Sequence, residues 1–297
     1  MLMCCPSFRP GSAAMSALQM DLKLQDDRAA RYQMVALKAL VSLSSGDMRP
    51  QTLHRLRTHL RRLQAYLELV GENKNTKILS KCVSRLSRLR TLHAFEQYLT
   101  RLGAPESDLW TIRDRIRTTL ATLERKDTFW KIEHNVHWHS LSAAPADPDW
   151  MAARLQTLRR AYAHTLQGLI AKAVANPRRK SLHALRLRIK SIRYQEEWAL
   201  DQPYARPEIV TRLKRMQSVL GRYEERAQFR KLARALDLES YPKIVKGWQR
   251  ARTRARTIPH ELTGMIEDLA GRRLRLVGQE PRAASALLPG LRHAVGR

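Results

Sequence analysis

From Leu53 the apolar residues fall at alternating steps of three and four: Leu53, Leu56, Leu60, Leu63 and Leu67. That spacing lays one stripe along an α-helix and predicts a helix over residues 52–70, closed by Gly71. The same reasoning predicts helices over residues 16–44, stopped by Gly46, Asp47 and Pro50, over 75–102, closed by Gly103 and Pro105, and over 107–125. These make one four-helix unit across residues 16–127. Residues 128–148 are richer in His, Trp, Asp and Pro, hold no sustained period, and read as a connector with short helical pieces. Beyond it the pattern restarts, with helices over 149–175, 178–200 and 208–238 and one or two more between 241 and 278. Asn176 and Pro177 mark one break, and Pro203 and Pro207 the next. Residues 1–15 read as a flexible start and 279–297 as a tail.

The restart is a repeat. Leu53-His54-Arg55-Leu56-Arg57, followed by Arg61, matches Leu182-His183-Ala184-Leu185-Arg186, followed by Lys190. Downstream, Leu86-Ser87-Arg88 matches Leu220-Gly221-Arg222 at a slightly larger offset, so a short insertion separates the halves. Two copies of a helical unit predict an all-α protein of two four-helix bundles about an approximate twofold axis, with equivalent surfaces facing a shared cleft.

Composition supports this class. With 43% hydrophobic residues the chain can bury a core, and 12 Gly with 13 Pro in 297 residues suit long helices rather than a sandwich or barrel. No apolar run approaches the roughly 18 residues that span a bilayer, and no apolar stretch follows a basic start, so the expected location is cytoplasmic. Cys4, Cys5 and Cys82 form neither a disulfide framework nor a zinc spacing, which fits a reducing compartment.

Charge changes the picture most. Fifty-five Lys plus Arg stand against 27 Asp plus Glu, a formal net charge of +28 at pH 7. Such a charge makes a compact chain repel itself, so a polyanionic partner is expected: nucleic acid, an anionic membrane or inorganic polyphosphate. At 100° per residue, His54, Arg57 and Arg61 share the sector beside the leucine stripe. In the second copy His183, Arg186, Lys190 and Arg193 lie beside Leu182, Leu185, Ile189 and Ile192. Neither row has acidic residues interspersed, although like charges at these spacings repel. Arg offers a planar fork matched to phosphate oxygens and Lys a point charge, so cations about 6 Å apart suit a chain of phosphates. Long cationic side chains beside leucines also arise simply as cover for a core. Recurrence at matching positions in both halves favours the partner. Each histidine is read equally well as a buried, hydrogen-bonded ring or as a ligand contact. At a polyanion it would hold its proton to higher pH, so that binding tightens as pH falls.

In these residues the sequence resembles the CHAD domain, the conserved histidine α-helical domain, over most of its length. The second copy, Leu182, His183, Leu185, Arg186, Lys190, Arg193 and Tyr194, matches the family's Leu-His-x-Leu-Arg-x-x-x-Lys-x-Leu-Arg-Tyr, with Ile192 for its last leucine. The first copy supplies His54, Arg57, Arg61, Arg62 and Leu63. The resemblance implies two pseudo-symmetric four-helix bundles packed around a basic central groove or pore that binds inorganic polyphosphate and brings the protein to polyphosphate granules. On it Arg57, Arg61, Arg62, Arg186, Lys190 and Arg193 are the expected phosphate contacts, tuned by His54 and His183. Arg88, Arg90, Lys214 and Arg222 are weaker candidates on partner helices. Two departures stand out. Gln64 replaces the family's arginine, and Arg90-Thr91-Leu92-His93 lacks its acidic residues, whereas Glu225 keeps the acidic place in the second half. The second-half site is therefore the better preserved.

Other constellations carry less. His134, His137 and His139 near Glu133 have no distinctive metal spacing and read as surface or packing residues. Asp147-Pro148-Asp149 reads as a helix cap. Arg250, Arg252, Arg254 and Arg256 are equally a solvated run or an auxiliary anion contact. Neither a Walker motif nor the Glu-x-Glu-x-Lys of the tunnel domain sometimes fused to this family occurs, and the basic rows hold no carboxylates for metal-assisted phosphoryl transfer. The expectation is a non-catalytic binder without cofactor or metal. A sequence-independent RNA- or DNA-binding protein is the competing reading, weakened by six scattered tryptophans that form no stacking row.

Overall fold

The computed structural model describes residues 28–138, 148–200 and 204–269. Among them every regular element is a helix: α1 (Arg28–Ser44), α2 (Pro50–Val70), α3 (Asn73–Arg85), α4 (Ser87–Arg101), α5 (Glu106–Arg125), α6 (Thr128–Trp138), α7 (Pro148–Ala175), α8 (Arg179–Trp198), α9 (Pro207–Ala235), α10 (Tyr241–Ala255), α11 (Ile258–Thr263) and α12 (Ile266–Leu269). The expected start and tail, Cys4 and Cys5, and the first part of the 16–44 helix lie outside the described residues. No described helix is long and apolar enough to cross a membrane.

Local chemistry sets the ends of α2. Pro50 occupies its first turn, where the missing N–H breaks no helical bond. Gly71, at φ 87°, stops it in a left-handed turn whose N–H reaches the Glu68 carbonyl while that of Glu72 reaches Leu67. The expected 75–102 helix is two helices, bent at Leu86 (φ −85°, ψ −2°). Leu86 is fully buried, so the bend is carried by packing, without the Gly or Pro that would mark it in sequence. Residues 128–138, read as connector, form α6, which buries Phe129, Ile132 and Val136 against α1, α3 and α5.

Two large hydrophobic cores result, with a small cluster of Leu69, Leu155 and Ala199 where α2, α7 and the end of α8 meet. The first gathers α1 to α6, but also takes Phe229 and Ala233 from α9, Leu238, and Ile244 from α10. Phe229 stacks on Phe95 at 4.7 Å and on Tyr98 at 5.4 Å between ring centroids. The second core holds α7, α8, the first half of α9, and α11 with α12. Helix α9 thus runs through both, and the two sequence repeats share its packing. Asp108 of α5 strengthens the tie, accepting the backbone N–H groups of Glu239 and Ser240 at 3.0 Å each where α10 begins. Within the second core, buried Glu196 of α8 takes Arg159 of α7 at 2.9 and 2.7 Å, and Arg206 at 2.5 Å. Arg206 continues to the carbonyl of Asp268 at 2.7 Å, so one carboxylate ties α7, α8, α9 and α12 together.

Candidate polyanion-binding site

The two repeated helices pack directly on each other, α2 against α8. Their leucine and isoleucine stripes enter the two cores, and that turns the adjoining cationic rows toward the α2–α8 seam. Arg57 and Arg61 arrive from α2, Arg186, Lys190 and Arg193 from α8, and Arg90 from α4. Their charges act on one another across the halves. Burial, followed by Arg61, Arg186, Arg57 and Arg193, pushes the Lys190 ammonium down to about 6. Burial also pulls Arg57 down to about 10, helped by Arg61 and Arg90, and lowers Arg186 with Arg90 and Arg61 as cationic contributors. Such mutual lowering requires like charges close together in a poorly screened place.

Arg57 donates to the Val83 carbonyl and, at 3.2 Å, to the Ser87 hydroxyl. The Nε atoms of Arg61 and Arg186 are buried without a protein acceptor. Lys190 Nζ lies 5.7 Å from the Tyr194 ring centre, and Arg193 covers that ring at 4.1 Å. Among the described residues no carboxylate comes within ion-pair distance of Arg61, Arg186 or Lys190; the nearby acids are engaged elsewhere. Glu225 of α9 pairs with Arg90 at 2.9 Å, and Glu197 with Arg193. Glu224 takes Arg179 at 2.6 Å and faces His183 Nδ1 at 3.5 Å. Burial works against the Glu224 charge, but the hydrogen bonds from Arg179 and Gln228 outweigh it and keep its carboxyl low. Glu68 of α2 accepts Gln64 at 3.2 Å and, across the seam, Ser191 at 3.0 Å and Gln195 at 3.1 Å.

No protein-family model matches the chain, and no curated protein or solved structure matches it. The site therefore stands on its own geometry.

That geometry divides the expected residues. Arg57, Arg61, Arg90, Arg186, Lys190 and Arg193 come together. His54 is exposed at the edge of the group, its ring pushed down by burial and then by Arg90, Arg57 and Lys190. His183 lies one turn before Arg186, against Glu224. Arg62 turns away: one residue beyond Arg61 it points toward α1, where its guanidinium covers Tyr32 at 5.0 Å. Arg88, two residues from Arg90 and so on the opposite side of α4, is exposed, as are Lys214 and Arg222 on α9. Of the connector histidines, His134 stacks on Trp130 at 5.2 Å, while His139 and the side chain of His137 lie outside the described residues. Asp147 of the expected cap does as well. Among the described residues no three His, Cys, Asp or Glu side chains group to hold a metal ion.

Sequence reasoning missed the polar residues that join the two helices bearing the cations. Glu68, Ser191 and Gln195 form the polar bridge of the seam, and Gln64 helps to hold Glu68. A signal existed: Ser191 and Gln195 sit four apart on a helix whose apolar stripe is otherwise regular, and Gln195 is 1% exposed. Across the halves, α9 supplies polar partners to α4. Glu225 braces Arg90, and Thr91 donates to Gln228 of α9 at 3.2 Å.

Proposed function

We propose that this chain binds inorganic polyphosphate without hydrolysing it, as a CHAD-like protein. In this reading its two repeats form pseudo-symmetric bundles around a basic groove at the α2–α8 seam. The observation that carries the reading is the meeting of Arg57, Arg61, Arg186 and Lys190, from two repeated helices, in a half-buried cluster that leaves Arg61, Arg186 and Lys190 without a carboxylate partner among the described residues. Unpaired cations in a weakly screened site are costly, and so are buried donors without acceptors. A polymer of phosphates supplies several negative charges and many acceptor oxygens to both at once. The reading is non-hydrolytic because metal-assisted phosphoryl transfer needs carboxylates to hold the ions, and Glu225 and Glu197 at the cluster are committed to Arg90 and Arg193. On the same reading the protein is cytoplasmic and attached to polyphosphate granules.

Nucleic acid offers the same charge, so competition decides between them. Long-chain polyphosphate should displace a labelled single-stranded oligonucleotide at a phosphate concentration at least tenfold lower than unlabelled oligonucleotide needs. Displacement at equal phosphate concentrations would transfer the site to nucleic acid, and phosphate release on adding magnesium would make the protein an enzyme.

A further inference from the structure

Beside the cationic seam, between the start of α2 and the middle of α4, lies a cavity of about 530 Å³. The first turn of α2, with Pro50 and Gln51, forms one end, and no side chain caps it. From there the wall continues through His54, Arg55 and His59 of α2 to Arg90 and His93 of α4. Among the described residues no carboxylate lines it. His93 is the unusual member. It is 8% exposed, and neither ring nitrogen has a hydrogen-bond partner among the described residues. Its nearest acid, Glu96, stands 4.0 Å from Nδ1 and is engaged by Arg113 at 3.0 Å. A buried imidazole with both nitrogens unmatched is costly unless an outside group meets it. Beside it, Arg55 favours a negative group outright, Arg90 does so while sharing its charge with Glu225 at 2.9 Å, and the first turn of α2 is already met by Asp47, which accepts the Thr52 hydroxyl at 2.9 Å. Burial holds the rings of His54 and His93 below their ordinary value, so that each offers a neutral N–H donor, whereas the N–H of His59 is taken by the Arg55 carbonyl at 2.8 Å.

We propose that this cavity is a second anion site, which takes a terminal phosphoryl group through His93, Arg55 and Arg90. A terminal phosphoryl group is compact, carries up to two charges and presents three acceptor oxygens, which suits donors converging from two helices. Two sources share this chemistry, a small phosphate monoester and the end of a phosphate polymer. The site adjoins the polymer seam through His54 and Arg90 but does not depend on it. His93 and Arg55 belong to the cavity alone, Arg186 and Lys190 to the seam alone.

Calorimetry with adenosine monophosphate, adenosine, linear tripolyphosphate and cyclic trimetaphosphate tests it. Either the monophosphate binds where adenosine does not, which identifies a monoester source, or linear tripolyphosphate binds at least tenfold tighter than the cyclic trimer, which identifies a polymer end. The exposed Arg55→Ala variant, which removes no packing, and His93→Gln should each weaken that binding about tenfold. Both should leave long-chain polyphosphate affinity within twofold, whereas joint Arg186→Ala and Lys190→Ala should do the reverse. The proposal is overturned if no end-bearing phosphate is preferred over its control, or if both cavity variants bind it as the wild type does.

Discussion

Lys190 is the residue whose chemistry departs furthest from the ordinary. Burial first, and then Arg61, Arg186, Arg57 and Arg193 around it, push its ammonium down to about 6, with Tyr194 beneath. A folded value near 6 against 10.5 for the free side chain means that the unfolded chain binds more protons between those limits. This group therefore makes the empty protein more stable as pH rises through that window, and less stable as pH falls toward 6. A bound polyanion restores the charge. Polyphosphate binding at pH 7.5 should then take up close to one proton, visible as a dependence of the calorimetric enthalpy on the ionisation heat of the buffer. Lys190→Met should abolish most of that uptake and raise the melting temperature of the empty protein by a few degrees. Equal proton uptake in wild type and variant would remove Lys190 from the site. Within such rows, the sequence made the cations legible because helical spacing fixes which side chains share a face. It did not separate Arg62 from Arg61, since whether a neighbour 100° around the helix meets the seam or Tyr32 depends on where α1 packs.

At the scale of elements, α8 and α9 carry the arrangement. Glu196 on α8 is flanked by Arg159 and Arg206, all three buried. Burial opposes its charge, yet the hydrogen bonds of both arginines prevail and hold its carboxyl below the usual range. Glu196→Gln leaves two guanidinium groups uncompensated and should cost about 3–5 kcal/mol in urea unfolding. A loss under about 1 kcal/mol would mean the ions are solvated rather than buried. Helix α10 approaches α4 at Gly247, where a Cβ would collide with the Tyr98 hydroxyl. Tyr98 has little room to yield, being covered by Arg226 at 3.3 Å and stacked on Phe229. Gly247→Ala should therefore lose about 1–3 kcal/mol, and an unchanged midpoint would show that Tyr98 swings aside freely. Most helices were legible from leucine spacing and from stops such as Gly71. The bend at Leu86 was not, because a buried leucine leaves no compositional mark. Nor was α6 legible as a packed element, since Phe129, Ile132 and Val136 are diluted among Trp and His.

Across the whole molecule, the repeat and the packing obey different divisions. Sequence similarity splits the chain near residue 128, whereas the first core extends to Phe229, Leu238 and Ile244. Only tertiary contact brings those positions together, and for that reason the shared core could not be read from either half. The sharing also holds α2 and α8 side by side, which is what gathers cations lying more than a hundred residues apart. A chain of charge +28 organised in this way should bind its partner by displacing counterions, with affinity falling steeply as salt rises. The most direct test is the affinity for long-chain polyphosphate across a salt series, for wild type and for joint Arg186→Ala and Lys190→Ala. Wild type should show a steep negative slope of log affinity against log salt. In the double variant the affinity should drop at least tenfold at low salt, with a slope shallower by about one to two. Equal slopes and affinities for the two proteins, or an affinity indifferent to salt, would contradict polyphosphate binding at the α2–α8 seam.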